Sequence, residues 1–271
     1  MGDETRTQAG KPAPLVRVRG LSKKYVQRRR FSRKKFVVSA LDNVDLSIPV
    51  GFTLALVGQS GSGKSTLARC LVRLEEPSSG QIWFKDKNLL ALTTLELRPV
   101  RAQIQLIFQG PAATFSPRFS TVQVVAEPLD IQRRGTAQER RQRALKLMDQ
   151  VGLPARFRDR MPHELSGGQR QRLAIARALA LEPEFLILDE ALSGLDLSIQ
   201  AQILNLLLEL QALYALTYLY ISHDLRLVGH IADEVAVMHQ GRIVERGVTR
   251  ELFSSPRHPL TRALLASLPQ V

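Results

Sequence analysis

The residues with the most evident chemistry are Gly58-Gln59-Ser60-Gly61-Ser62-Gly63-Lys64-Ser65-Thr66. They fit G-x-x-x-x-G-K-[ST], the phosphate-binding loop pattern. Three glycines let the backbone wrap tightly and bring its N–H groups against phosphate oxygens. A helix opening at the end of the loop adds partial positive charge at the same spot. Lys64 can reach β- and γ-phosphates, and the Ser65 hydroxyl can ligate Mg²⁺. The pattern needs a strand before it and a helix after it. Thr53-Leu54-Ala55-Leu56-Val57 reads as a buried strand, and residues 65–74 read as the helix.

A second chemical stretch is Phe185-Leu186-Ile187-Leu188-Asp189-Glu190, a buried strand ending in two carboxylates. Carboxylates at the C-terminal end of a parallel strand sit where ligands bind in open α/β sheets. Asp189 is placed to hold Mg²⁺, directly or through water. Glu190 is placed to orient or deprotonate an attacking water. A third stretch, Leu165-Ser166-Gly167-Gly168-Gln169, precedes an apolar-patterned helix over 169–180. Ser166 is a natural N-cap, and the glycines leave backbone N–H groups uncovered. This is a second anion site at a helix N-terminus. A chain with one nucleotide loop has no internal use for it. The economical explanation is that two chains face each other, each offering this cap to the γ-phosphate held by the other.

The elements that must position these groups alternate between strand and helix. Strand-like runs lie at residues 15–18, 36–38, 41–48, 81–84, 104–108 and 217–221, with a hairpin over 235–245 turning at His239-Gln240-Gly241. Helical patterns lie at 95–101, 137–151 and 198–213. The alternation implies a mainly parallel, two-sided sheet. Residues 26–35 form a basic hairpin or strap between two edge strands. From 109 to about 172 prolines punctuate short helical patterns, which reads as a helical lobe inserted in the α/β core. Residues 1–12 read as a disordered leader.

The chain has 271 residues, enough for one large α/β domain with an inserted lobe. No apolar run is long enough to span a bilayer, and the polar N-terminus lacks the apolar segment of a secretory signal. The single cysteine, Cys70, excludes an internal disulfide and reads as a buried core thiol. These features point to the cytoplasm. The net charge of +13 implies an acidic partner, nucleic acid or anionic lipid, or else simply solvated basic faces.

Phosphate loop, LSGGQ, LILDE and a histidine after the next strand together resemble the ATP-binding cassette (ABC) ATPases. The resemblance covers about residues 15–245. It implies a P-loop NTPase (RecA-like) core with an edge β-subdomain and an inserted helical subdomain over about 110–172, all within 13–247. It also implies ATP and Mg²⁺. Tyr25 matches the aromatic residue that stacks on adenine. Gln109 matches the glutamine that approaches Mg²⁺ and water, and His223 the switch histidine on the γ-phosphate. Ser193 to Asp196 match the loop that touches the facing subunit. The chain departs from the family at three places, with Ala191-Leu192 where Pro-Thr is usual, Gly110 where an acidic residue is common, and Gly194 where alanine is common.

Asp196-Leu197-Ser198-Ile199-Gln200-Ala201-Gln202-Ile203-Leu204-Asn205 and a tail, His258-Pro259-Leu260-Thr261-Arg262-Ala263-Leu264-Leu265 within 248–271, are similar to the dipeptide, oligopeptide and nickel importer branch. That resemblance implies two membrane permease subunits, a second ABC ATPase as homo- or heterodimer partner, and an indirectly coupled solute-binding protein. It places the chain peripherally on the cytoplasmic face of the inner membrane, with no specific nucleic acid. Separately, the basic charges of the strap would favour contact with anionic headgroups, since such charges attract additively near a membrane. A soluble ABC ATPase acting on nucleic acid or ribosomes is the alternative that the charge keeps open. An exporter head is another, because the cassette alone does not encode direction.

Overall fold

The computed structural model describes residues 14–28 and 35–267. The leader at 1–12 and the tip of the basic strap lie outside the described residues. Two strands open the chain, β1 (Pro14–Arg28) and β2 (Lys35–Pro49). They pair antiparallel from Pro14↔Pro49 to Arg28↔Lys35, so the expected strap is a hairpin stem. The two separate runs expected at 36–38 and 41–48 are one continuous strand. Register shifts between Val18 and Lys24 absorb the break in the apolar alternation.

The chain then enters β3 (Thr53–Val57), the phosphate-loop turn and α1 (Lys64–Leu71). Helix α1 ends before the expected residue 74, because Arg73 takes a left-handed φ of +50°. That turn lets Arg73 donate to the carbonyls of Leu89 and Leu92. Next come β4 (Ser79–Phe84), β5 (Lys87–Asn88), α2 (Thr94–Gln103) and β6 (Ile104–Ile107). The inserted lobe holds α3 (Thr121–Ile131) and α4 (Ala137–Gln150), and α5 (Gly167–Leu179) carries the chain back to the core. Pro128 lies inside α3 rather than bounding it. The remainder is β7 (Phe185–Asp189), α6 (Leu197–Tyr214), β8 (Thr217–Ile221), α7 (Leu225–Ile231), β9 (Glu234–His239), β10 (Arg242–Val248), α8 (Thr249–Ser254) and α9 (Pro259–Ala266).

Two sheets result. The larger runs β10-β9-β3-β8-β7-β6, with every pair parallel except β9–β10. The smaller is antiparallel, in the order β2-β1-β4-β5. Strands β3, β7 and β8 are buried along their whole length, which is why they read as unbroken apolar runs. Their side chains alternate between two cores. Ala55, Val57, Leu186, Leu188, Tyr218 and Tyr220 face the core built with α3 to α7. Leu54, Leu56, Phe185, Ile187, Leu219 and Ile221 face the one shared with α1 and the smaller sheet. Cys70 is fully buried in the latter, and burial pushes its thiol up to about 12.

The sheets are also joined by polar contacts at their edges. Arg246 on β10 donates Nε and Nη2 to Glu234 on β9, and its Nη2 also reaches the carbonyl of Ser47 on β2 at 2.7 Å. Glu234 is almost fully buried, so removing the guanidinium withdraws charge-assisted hydrogen bonds from a desolvated carboxylate. Arg246→Ala is expected to lower unfolding free energy by about 1.5–3 kcal/mol. Urea denaturation of both proteins measures this, and an unchanged midpoint would show that the edge contact is energetically idle.

Candidate functional site

Strand register gathers the chemistry at one edge of the larger sheet. Leu56 pairs with Ile221, Val57 with Val237, Asp189 with Ile221, and Ile107 with Leu188. The phosphate loop, Gln109, Glu190 and His223 therefore leave neighbouring strands at the same C-terminal end. Gln109 and Glu190 each lie two residues beyond the paired Ile107 and Leu188. Gln109 itself is exposed and makes no hydrogen bond among the described residues.

The phosphate loop is fixed from beneath by other backbone. A Cβ on Gly58 would stand 2.2 Å from the Met238 carbonyl oxygen, and one on Gly63 2.3 Å from that of Ala40. Both residues also adopt positive φ, 152° and 110°. Gly241 N–H closes the contact by donating to the Ser62 carbonyl at 2.9 Å. Gln59, Ser60 and Gly61 form the exposed lip of the loop, and Ser62 is buried.

Lys64 is 5% exposed, and its ammonium donates to the carbonyls of Gly58 at 2.9 Å and Gln59 at 3.0 Å. A longer bond of 3.4 Å runs to Ser62 Oγ. Burial lowers the Lys64 pKa, while the nearby charges of Glu190 and Asp189 oppose that shift. Ser65 Oγ donates to Asp189 Oδ1 at 3.0 Å. Burial raises the Asp189 pKa, and the Ser65 hydroxyl works against it. The hydroxyl and the carboxylate thus present hard oxygen atoms side by side.

Glu190 turns sharply away from β7. Its φ is +48°, its N–H donates to the Ile221 carbonyl at 3.0 Å, and its own carbonyl accepts from Ser193 at 3.1 Å. A non-glycine residue in that region stores backbone strain, which the two hydrogen bonds hold in place. His223 Nδ1 lies 3.6 Å from Glu190 Oε2. A cavity of about 60 Å³ beside the pair is lined by Ser193, Gly194, Gln200, Tyr220 and Ser222 among others.

Tyr25 is half-buried beside the start of α1, where its side chain meets Thr66 and its hydroxyl donates to Glu75. Lys23 Nζ stands 5.0 Å from the ring centroid and donates to the Glu76 carbonyl at 2.6 Å.

The Ser166–Gln169 turn caps α5 with reciprocal bonds. Ser166 Oγ accepts from the Gln169 N–H at 3.3 Å, and Gln169 Oε1 accepts from the Ser166 N–H at 3.0 Å. The two glycines have a packing reason absent from the sequence reading. A Cβ on Gly168 would stand 2.6 Å from Ile199 Cγ2, and one on Gly167 3.0 Å from Leu195 Cδ2. The turn is thus seated on the loop and helix that follow Glu190.

Sequence reasoning missed Gln200 and Ser222 as members of the site. A polar residue four positions after Asp196, on the helix face that also carries Ile203, Leu204 and Leu207, was the available signal for Gln200.

Residues 41–193 match the family model described as ABC transporter. The chain is 46% identical over 258 residues to the dipeptide transport ATP-binding protein DppF of Haemophilus influenzae, covering 95% of this chain and 79% of that one. It is 48% identical over 240 residues to the oligopeptide transport ATP-binding protein AppF of Bacillus subtilis, covering 88% and 73%. A solved dimeric structure of the ATP-binding cassette MJ0796 in a post-hydrolysis state, bound to ADP and Pi, superposes with a TM-score of 0.76 at 30% identity, over 87% of this chain and 99% of that one. The cbiO1 structure from Clostridium perfringens, part of the ABC transporter complex cbiONQ, gives 0.77 at 30% identity, over 90% and 92%. The chain belongs to the ABC transporter family and is one of its ATPase cassettes.

Proposed function

We propose that this chain hydrolyses ATP to power peptide uptake through membrane permease partners. The observation that carries the reading is the convergence of Lys64, Ser65, Asp189, Glu190 and His223 at one sheet edge. The peptide assignment draws on the names of relatives 44–48% identical to this chain, which are dipeptide, oligopeptide and peptide transport or import proteins.

ATP phosphates would enter the cradle formed by residues 58–66. The Lys64 ammonium, held over the loop by the Gly58 and Gln59 carbonyls, needs little movement to exchange them for β- and γ-phosphate oxygens. The donor set fits Mg²⁺. Among the described residues no group of three or more His, Cys, Asp or Glu could hold a metal alone. Ser65 and Asp189, with Gln109 swinging in, supply a few oxygen ligands and leave the rest to phosphate and water, the usual manner for this ion. When bound there, Mg²⁺ would neutralise charge on the β- and γ-phosphate oxygens.

Glu190 takes a proton from the attacking water, or orients it. His223 beside Glu190 donates toward the γ-phosphate. Tyr25 offers a ring face to adenine. The Ser166 hydroxyl and the N–H groups of Gly167 and Gly168 on a facing cassette, either a second copy or a related ATPase, complete the anion site, and Ser193 to Asp196 touch that partner. A groove lined by Leu106, Phe108, Phe115, Pro128, Ile131 and Arg177 runs between core and lobe, and it is where the permease subunits would dock. A solute-binding protein would deliver the peptide to those subunits. No helix among the described residues is long and apolar enough to cross a membrane. With permease subunits as partners, the proposed place of this chain is peripheral, on the cytoplasmic face.

Glu190→Gln is expected to slow turnover by about 10²–10⁴-fold while leaving nucleotide binding intact. ATP would then convert the variant to a stable dimer on size-exclusion chromatography, and fast turnover by it would remove Glu190 from this role. Lys64→Ala should weaken nucleotide binding itself, read by fluorescent-ATP titration. Tagged Glu190→Gln protein with ATP, recovered from detergent-solubilised native membranes, should bring polytopic permease subunits. DNA or ribosomes in their place would refute the transport reading and leave the ATPase.

A further inference from the structure

Gln200 is a polar residue buried in an apolar helix face. It is 9% exposed and lies on α6 among Ile203, Leu204 and Leu207. Its two amide atoms have different fates. Nε2 donates to the Leu192 carbonyl at 3.0 Å, which fixes the orientation of the amide. Oε1 is buried and has no protein partner. A buried acceptor without a partner is rare, and the usual resolution is an ordered water.

Room for that water is present. Gln200 lines the cavity of about 60 Å³ that also touches Glu190, His223, Tyr220 and Ser222. A single water needs about 10–15 Å³ and two to four polar partners. Glu190 and Ser222 line the same space and bring a carboxylate and a hydroxyl to its walls as candidate partners, and the Tyr220 hydroxyl meets the Ser222 side chain.

We propose that Gln200 is a positioning residue, holding a water in the cavity beside Glu190 and His223 through Oε1 while Nε2 holds the Leu192 carbonyl. The inference rests on the reading that Glu190 acts on the hydrolytic water. Leu192 lies in the turn closed by the Ser193 N–H bond to the Glu190 carbonyl. Gln200 therefore grips the strained turn from behind and hydrates the cavity that Glu190 and His223 line. Without it, the carboxylate would lose both the backbone support and the solvent partner that set its direction. The phosphates would contact residues 58–66 instead, so ground-state binding would be spared.

The test is a high-resolution crystal structure of the wild-type chain together with kinetics of Gln200→Met, which keeps the volume and removes both amide atoms. The expected density is a water within about 3.0 Å of Gln200 Oε1, absent from the variant. The expected kinetics are a kcat lowered by about tenfold to a hundredfold, with KM for ATP within about twofold of wild type. A dry cavity in the wild type, or a water that persists in Gln200→Met, would overturn the proposal. So would an unchanged kcat, or a loss carried mainly by KM. If the wild-type chain failed to hydrolyse ATP, the functional reading would fall, and the density alone would still decide whether Gln200 holds a water.

Discussion

The constraint on which this structure depends is the absence of side chains at Gly58 and Gly63. Backbone carbonyls from Met238 and Ala40 stand where their Cβ atoms would be. One carbonyl comes from β9 in the larger sheet and the other from β2 in the smaller. The phosphate loop is therefore clamped between the two sheets, with Gly241 donating to Ser62 and accepting from Asp42. A loop held in this way loses little entropy when it meets an anion, because the ordering has been done by folding. The same clamp explains why Lys64 tolerates burial. Its ammonium has the loop's own carbonyls as partners, and these can be exchanged for phosphate oxygens without leaving a buried charge unpaired.

Side chains rather than backbone set the other half of the site. Asp189 and Glu190 are consecutive, yet they face different tasks. Asp189 completes the strand, is nearly buried and accepts from Ser65. Glu190 breaks the strand with a positive φ and so swings its carboxylate toward His223 rather than the Ser65 hydroxyl. The turn that achieves this is anchored across β8 by Ile221 and from α6 by Gln200.

Much of the larger sheet was legible in the sequence because its strands are buried on both faces. The runs 53–57, 185–189 and 217–221 coincide with β3, β7 and β8. Their order and the phosphate loop then located the site edge. Less legible was whatever depends on partners distant in sequence. Nothing local announces that Arg246 will meet Glu234 and Ser47, or that Gly168 must be small because Ile199 lies against it. The short elements β5, α7 and α8 carry too few residues for a period to show. Gln200 was visible as a letter in a helix, but its value comes from an unpaired atom, and pairing is a property of three dimensions.

The departures from the family pattern can be weighed on the same physical footing. Ala191 and Leu192, standing where Pro-Thr is usual, are 4% and 2% exposed and belong to the core packed by α5 and α6. They act as filling behind the Glu190 turn and place no new polar atom near the reacting groups. Gly194 and Gly110 adopt φ of +78° and +62°, and nothing lies within 4 Å of a Cβ at either. Their effect is conformational, since the backbone takes a left-handed step that alanine or aspartate would make at some cost. Gly194 precedes Leu195, which packs beneath the Ser166 turn, and Gly110 follows Gln109, which is proposed to reach the metal. The departures therefore act on the backbone conformation of these two loops, while the cradle, the carboxylate pair and the histidine keep the positions that the parallel strands give them.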